Sequence, residues 1–108
     1  TNTGAEDDAD LSRVSCSMEY FEAYTRGFLA ECGSMLTADE LEWLPFAGRF
    51  ITFEQVLRFL MDYINGDTYY KVAYPDHNLI RTRAQFALLS SMEQQYPRMQ
   101  AIVADAVK

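Results

Sequence analysis

From Phe46 onward apolar residues recur with a regular beat: Phe46, Phe50, Phe53, Leu57, Leu60 and Ile64 advance by 4, 3, 4, 3 and 4 positions. Ile51, Val56, Phe59, Met61 and Tyr63 widen the stripe. Alternating steps of three and four mark one face of an α-helix, and the breadth of this surface predicts the central, most buried helix of the fold. Asn65-Gly66 closes it, because glycine tolerates the left-handed backbone that caps a helix C-terminus. Just upstream, Thr37-Ala38-Asp39-Glu40 fits a capping box, in which the Thr37 hydroxyl accepts from the Glu40 amide and the Glu40 carboxylate reaches back to the Thr37 amide. A short helix over Ala38 to Leu44 follows. Pro45 cannot continue that helix but is comfortable at the start of a new one, so a corner falls there.

The flanking segments have the same helical period. Met18, Phe21, Thr25, Phe28, Leu29 and Cys32 predict an amphipathic helix capped by Ser17 and ended by Gly33, with Glu22 and Arg26 paired on its outer face. Such a pair stabilises an exposed helix by only about 0.2–0.5 kcal/mol, so burial of the stripe must hold it in place. After Gly66, the run Thr68, Tyr69, Tyr70, Val72 and Tyr74 has strand propensity, and Asn-Gly is also a hairpin turn, yet no matching alternating strand precedes it. Pro75 fixes a loop, and Asp76 or Asn78 caps the next helix. There Leu79, Ile80, Phe86, Leu89 and Met92 are expected inward, and Arg81, Arg83, Gln85 and Glu93 largely outward. Pro97 is expected to start a final short helix that buries Ile102 and Val103. The pattern predicts an all-α fold of four to five helices without repeats or low-complexity tracts.

Composition narrows the function classes. A chain of 108 residues with an apolar share of 49% is enough for one packed domain. Its 16 acids against 9 basic residues leave a net charge of −7, and Lys71 and Lys108 are the only lysines. That balance disfavours a surface for nucleic acid or anionic lipid. No run approaches the roughly 20 apolar residues that span a bilayer, and Thr1 to Leu11 lack the regions of a signal peptide, so a cytoplasmic protein is expected. Residues 1–15 read as an acidic linker or loop and 16–108 as the helical unit. With Thr at position 1 and a helix-like end at Lys108, the expectation is a C-terminal fragment of a longer polypeptide.

Candidate chemistry is sparse. Cys16 and Cys32 at opposite ends of one helix would stand roughly 24 Å apart, so buried thiols are expected rather than a disulfide. One histidine and no Cys-x-x-Cys offer no metal-ligand spacing. His77 beside Asp76 reads as a loop or capping residue, and Asp39, Glu40 and Glu42 as a solvated helix face. No nucleophile elbow or Gly-rich phosphate loop occurs, so no catalytic residue is assigned. What stands out is the ladder Glu54, Arg58, Asp62 at successive i,i+4 positions. It is either an exposed salt-bridge ladder worth about 1 kcal/mol or less, or a setting in which the Arg58 fork binds hydroxyls or an amide carbonyl of a polar ligand. Tyr69 and Tyr70 would add a stacking face and a hydroxyl in the second case, and are ordinary core or surface residues in the first.

The stretch Thr37 to Glu93 resembles the C-terminal helical region of bacterial phosphotransferases of the aminoglycoside phosphotransferase and choline kinase superfamily, and within it the N-acetylhexosamine 1-kinases, some of whose relatives carry the label mucin-desulfating sulfatase protein. The resemblance rests on Leu-Pro-Phe at Leu44 to Phe46, Thr-Phe-Glu-Gln at Thr52 to Gln55, Arg-Phe-Leu-x-Asp-Tyr at Arg58 to Tyr63, Gly-Asp-x-Tyr-Tyr at Gly66 to Tyr70, and His-Asn-Leu followed by Arg81, Arg83 and Gln85. Asn2 to Val14 and Glu19 to Leu29 are also similar to this group. The resemblance implies the C-terminal helical subdomain of a protein-kinase-like fold. It also implies an ATP- and Mg²⁺-dependent sugar kinase whose catalytic loop, metal ligand and most nucleotide contacts lie upstream, so that this fragment binds neither cofactor itself. Arg58 and Tyr69 are then sugar-binding residues, with Asp62 as the substrate-site residue that orients Arg58. Two alternatives stand beside this one. The chain is a helical interaction module, pairing or dimerising through an apolar surface; or its parent phosphorylates another alcohol such as choline, homoserine or an aminoglycoside.

Overall fold

A computed structural model describes residues 2–107; Thr1 and Lys108, with the expectations placed on them, lie outside the described residues. Among the described residues the fold is all-helical, with α1 over Met18–Cys32, α2 over Ala38–Glu42, α3 over Leu44–Ile64 and α4 over His77–Ala106. Short 3-10 turns occupy Leu11–Arg13 and Gly33–Met35. No strand forms after Gly66; the glycine instead takes φ 92° directly behind α3, the capping conformation, and Asp67 follows at φ 60°. Several helix ends match their sequence signals. Ser17 accepts from the Tyr20 amide at 3.1 Å, both halves of the Thr37–Glu40 capping box are made at 3.0 and 3.1 Å, and Pro45 sits in the first turn of α3.

The long helix α4 organises the rest. Its length gives the chain extents of 48 × 26 × 20 Å and a radius of gyration of 15.5 Å, against about 13 Å for an ordinary domain of this size. Helices α3 and α1 both pack on α4, and α2 touches both α3 and α4. The core joins Phe21 of α1 to Ala84, Leu88, Met92, Met99 and Val103 of α4, with Val14 and Cys16 closing it. Arg49 ties α3 to α4, reaching Glu93 at 3.4 Å while its guanidinium lies 4.4 Å from the Tyr96 ring.

Three expectations are corrected. Helix α4 runs through Pro97 without a break. A proline inside a helix removes one hydrogen bond and costs about 3 kcal/mol, but Met92 before it and Met99 and Val103 after it are buried in one cluster, so breaking the helix would uncover both sides. On α4, Leu89 and Met92 are buried and Arg83 and Glu93 exposed as expected, but Gln85 is buried and Arg81 half-buried, while Phe86 is 58% exposed. The third concerns α3. Its buried positions are Pro45, Thr52, Val56, Phe59 and Asp62, whereas Phe50, Phe53, Leu57, Leu60 and Ile64 of the regular stripe are exposed. At 100° per residue, the stripe lies roughly 110° around the helix from the α4-facing side. Periodicity located a real apolar face, most of which is left exposed among the described residues.

Residues 2–15 are acidic and mostly exposed, and several hydrogen bonds join them and Cys16 to one another and to α4. The Thr3 amide donates to the Ser15 carbonyl at 3.0 Å. The Cys16 amide donates to Ser91 Oγ, and Gln95 Nε2 donates to the Cys16 carbonyl, each at 2.9 Å. Cys16 is buried, Cys32 half-buried, and neither forms a disulfide.

Candidate ligand-binding site at the end of helix α3

Of the three residues singled out on sequence, Arg58 and Tyr69 come together. Arg58 Nη2 lies 3.5 Å from the Tyr69 hydroxyl, and its guanidinium carbon is 5.7 and 5.9 Å from the Tyr69 and Tyr70 ring centroids, within cation–π range. The two rings meet edge to face at 4.9 Å, and Tyr70 leans on buried Phe59 at 4.8 Å. Glu54 holds Arg58 from the other side at 3.7 Å. The Arg58 side chain is 44% exposed and Tyr69 73% exposed, so a cation with spare donors, a hydroxyl and an aromatic face are presented together to solvent.

Asp62 does something else. It does not orient Arg58: its carboxylate is turned inward and accepts from the Tyr69 amide at 2.8 Å, the Tyr70 amide at 3.0 Å and Asn78 Nδ2 at 2.7 Å. Each i,i+4 step advances about 40° around a helix, so Asp62 stands about 80° from Glu54, at the edge of the α4-facing side. Only the Glu54–Arg58 half of the ladder exists. Burial pushes the Asp62 carboxyl pKa up, but the amides of Tyr70 and Tyr69, the Asn78 side chain and the Thr68 amide outweigh it and hold the group below its ordinary value of 3.8.

A lowered folded-state pKa means that Asp62 contributes stability at any pH above its unfolded value, and that this contribution is lost as the pH falls through the lower folded value. Asp7, lowered chiefly by its hydrogen bond from His77, and Glu40, lowered by the Thr37 amide and hydroxyl, add in the same direction. The melting temperature is therefore expected to fall below about pH 4, and Asp62→Asn, already lacking the carboxylate, is expected to show a shallower fall. Parallel curves from pH 5 to 2 for the two proteins would contradict the assignment.

Sequence reasoning missed the residues behind the site. Asn78 is fully buried; its Nδ2 donates to Asp62 and, at 3.0 Å, to Asp67, while its Oδ1 accepts from Arg81 Nη1 at 2.9 Å. Arg81 lies over the Phe59 ring at 5.6 Å and faces Glu6 at 3.6 Å. His77, taken as a loop or capping residue, is the first residue of α4 and is buried. Its Nδ1 accepts from the Ala73 amide at 3.1 Å, so Nε2 carries the proton donated to Asp7 at 2.8 Å. Both ring nitrogens are committed, which leaves none to act as a base. The available signal was Asn78 itself, a polar residue one turn before Arg81, but its partner lies on another helix 16 positions away.

Two apolar grooves flank the helices. One of about 380 Å³ opens between α1 and α3 over Met92 and Met99. The other, about 430 Å³, runs between α3 and α4 beside Phe53, Leu57, Leu60 and Phe86. Among the described residues no group of three His, Cys, Asp or Glu side chains is placed to hold a metal ion, and no helix is long and apolar enough to cross a membrane. Arg58, Tyr69 and Tyr70 together expose guanidinium donors, a hydroxyl and aromatic rings, groups of the kind that can contact a polar ligand. The chain matches no protein-family model.

Proposed function

We propose that this chain is the substrate-side helical part of an ATP-dependent kinase that phosphorylates an N-acetylhexosamine at the 1-hydroxyl, working in the cytoplasm. The observation that carries the reading is the juxtaposition of Arg58 and Tyr69, eleven positions apart in sequence and 3.5 Å apart in the fold. They are the two residues on which the resemblance places sugar contacts. A planar five-donor fork suits the hydroxyls and acetamido carbonyl of such a sugar, and a tyrosine face suits the apolar side of a pyranose ring. Phosphoryl transfer rests on positioning and on charge neutralisation by metal ions. On this reading ATP and Mg²⁺ are held by the upstream part of the parent enzyme, and this chain contributes sugar orientation.

The acceptor is tested by offering the parent enzyme N-acetylglucosamine, N-acetylgalactosamine, choline, homoserine and an aminoglycoside with ATP and Mg²⁺. The reading expects turnover with the N-acetylhexosamines; selective use of one of the other alcohols would replace the substrate and keep the kinase.

The bare stripe on α3 favours a second reading, a helical module that pairs or dimerises through Phe50, Phe53, Leu57, Leu60 and Ile64. An apolar face of this extent is a mark of an interface. On the kinase reading, the same face is where the upstream half packs. Sedimentation of the 108-residue chain and its Leu57→Glu variant separates the two: a Leu57-dependent dimer favours the module, and a monomer at high concentration removes pairing of this chain with itself.

A further inference from the structure

The Tyr69 side chain is only lightly packed, edge to face with the Tyr70 ring at 4.9 Å and beside the Arg58 guanidinium at 5.7 Å. Its ring is 73% exposed, and its contact with Arg58 is a long 3.5 Å. What places it is the backbone. The left-handed pair Gly66 and Asp67 reverses the chain behind α3, the Asp67 amide closes on the Asp62 carbonyl at 2.8 Å, and the amides of Tyr69 and Tyr70 land on the Asp62 carboxylate. That carboxylate is held in turn by Asn78. With two donors to Asp62 and Asp67 and one acceptor toward Arg81, the Asn78 amide has a single orientation: flipped, its oxygen would face two carboxylates and its NH₂ a guanidinium. No other uncharged side chain of this size supplies both functions in a fully buried position.

We propose that Asn78 and Asp62 are positioning residues of the binding site, a buried pair on α4 and α3 that sets the backbone of Tyr69 and Tyr70 and so presents both rings beside Arg58. The pair touches the ligand nowhere. It lowers the ordering cost of a loop that would otherwise be fixed only on binding. The inference rests on the sugar-site reading only for the identity of the ligand.

Two readouts test it separately. In the 108-residue chain, amide hydrogen exchange at Tyr69 and Tyr70 is expected to accelerate at least about tenfold in Asp62→Asn, because one of two acceptor oxygens becomes a donor NH₂. Leu88 and Val103 in the core should keep their protection. Asn78→Asp, which gathers three carboxyl groups and deletes the donor, should do the same, and either variant suffices if the other does not fold. In the parent enzyme, both variants are expected to raise KM for N-acetylglucosamine about tenfold with kcat within about twofold. Unchanged protection at Tyr69 and Tyr70 overturns the proposal, and so does lost protection with an unchanged KM while Arg58→Ala still raises it. If protection is lost but Arg58→Ala also leaves the sugar dependence unchanged, the sugar reading fails and the positioning of the loop by Asp62 and Asn78 stands.

Discussion

Replacing Met99 by alanine is expected to lower the stability of this chain by about 3 kcal/mol, the middle of the range for buried methionine truncations, and its melting temperature by roughly 12–20 °C. Met99 is completely buried and belongs to the cluster that joins α1 to α4. Truncation removes its dispersion contacts and extends the adjoining groove of about 380 Å³ into the core, with little prospect of collapse because Met92 and Val103 are fixed on the same helix. Met35→Ala is the matched control: the same atoms are removed from a side chain that is 77% exposed, and the change should stay within about 0.5 kcal/mol. Thermal unfolding of the two variants checks the contrast. Equal effects would mean that α4 beyond Pro97 is not docked on α1 and that the short terminal helix expected from the sequence is the better description.

On the proposed sugar-kinase reading, Arg58→Ala in the parent enzyme is expected to cut kcat/KM for the sugar at least about tenfold, near 1.4 kcal/mol, and to leave nucleotide affinity unchanged. The loss comes from directional donors to the ligand, not from stability. Arg58 is half exposed, and its pair with Glu54 at 3.7 Å is of the surface kind that contributes little to folding. Arg58→Lys keeps the charge but not the planar fork and should recover less than half of the lost rate. Steady-state kinetics with sugar and ATP varied in turn decide the matter. An unchanged sugar dependence in Arg58→Ala removes this residue from the site, and a change confined to ATP moves it to the nucleotide side.

Much of the helical framework could be read from single residues whose chemistry is local. Ser17, the Thr37–Glu40 box, Pro45 and Gly66 mark helix ends because each satisfies or forgoes a hydrogen bond with residues at most a few positions away. Arg58 and Tyr69 could be singled out by residue type, but their contact is set by the turn at Gly66. What was not accessible depended on distant partners. The stripe from Phe46 to Ile64 announces an apolar face but not what covers it, and α4 packs on the adjacent side through Thr52, Val56 and Phe59. Pro97 carries a strong local signal for a break, which the burial of Met99 and Val103 overrides. Asp62 looked like one rung of a surface ladder because its true partners, two loop amides and Asn78, are set by the turn at Gly66 and by the docking of α4. The same logic hides His77, whose two ring nitrogens are satisfied by Ala73 and Asp7.

These corrections sharpen the functional reading. The proposed site is reduced to Arg58, Tyr69 and Tyr70 at the surface, with Asp62 and Asn78 as the framework below them.

The most direct test of the account is ATP- and Mg²⁺-dependent phosphorylation of N-acetylglucosamine and N-acetylgalactosamine by the full-length parent, with this 108-residue chain assayed beside it. The account predicts sugar 1-phosphate from the parent and none from the chain alone. Failure of the parent to phosphorylate either sugar, or turnover by the isolated chain, would contradict it.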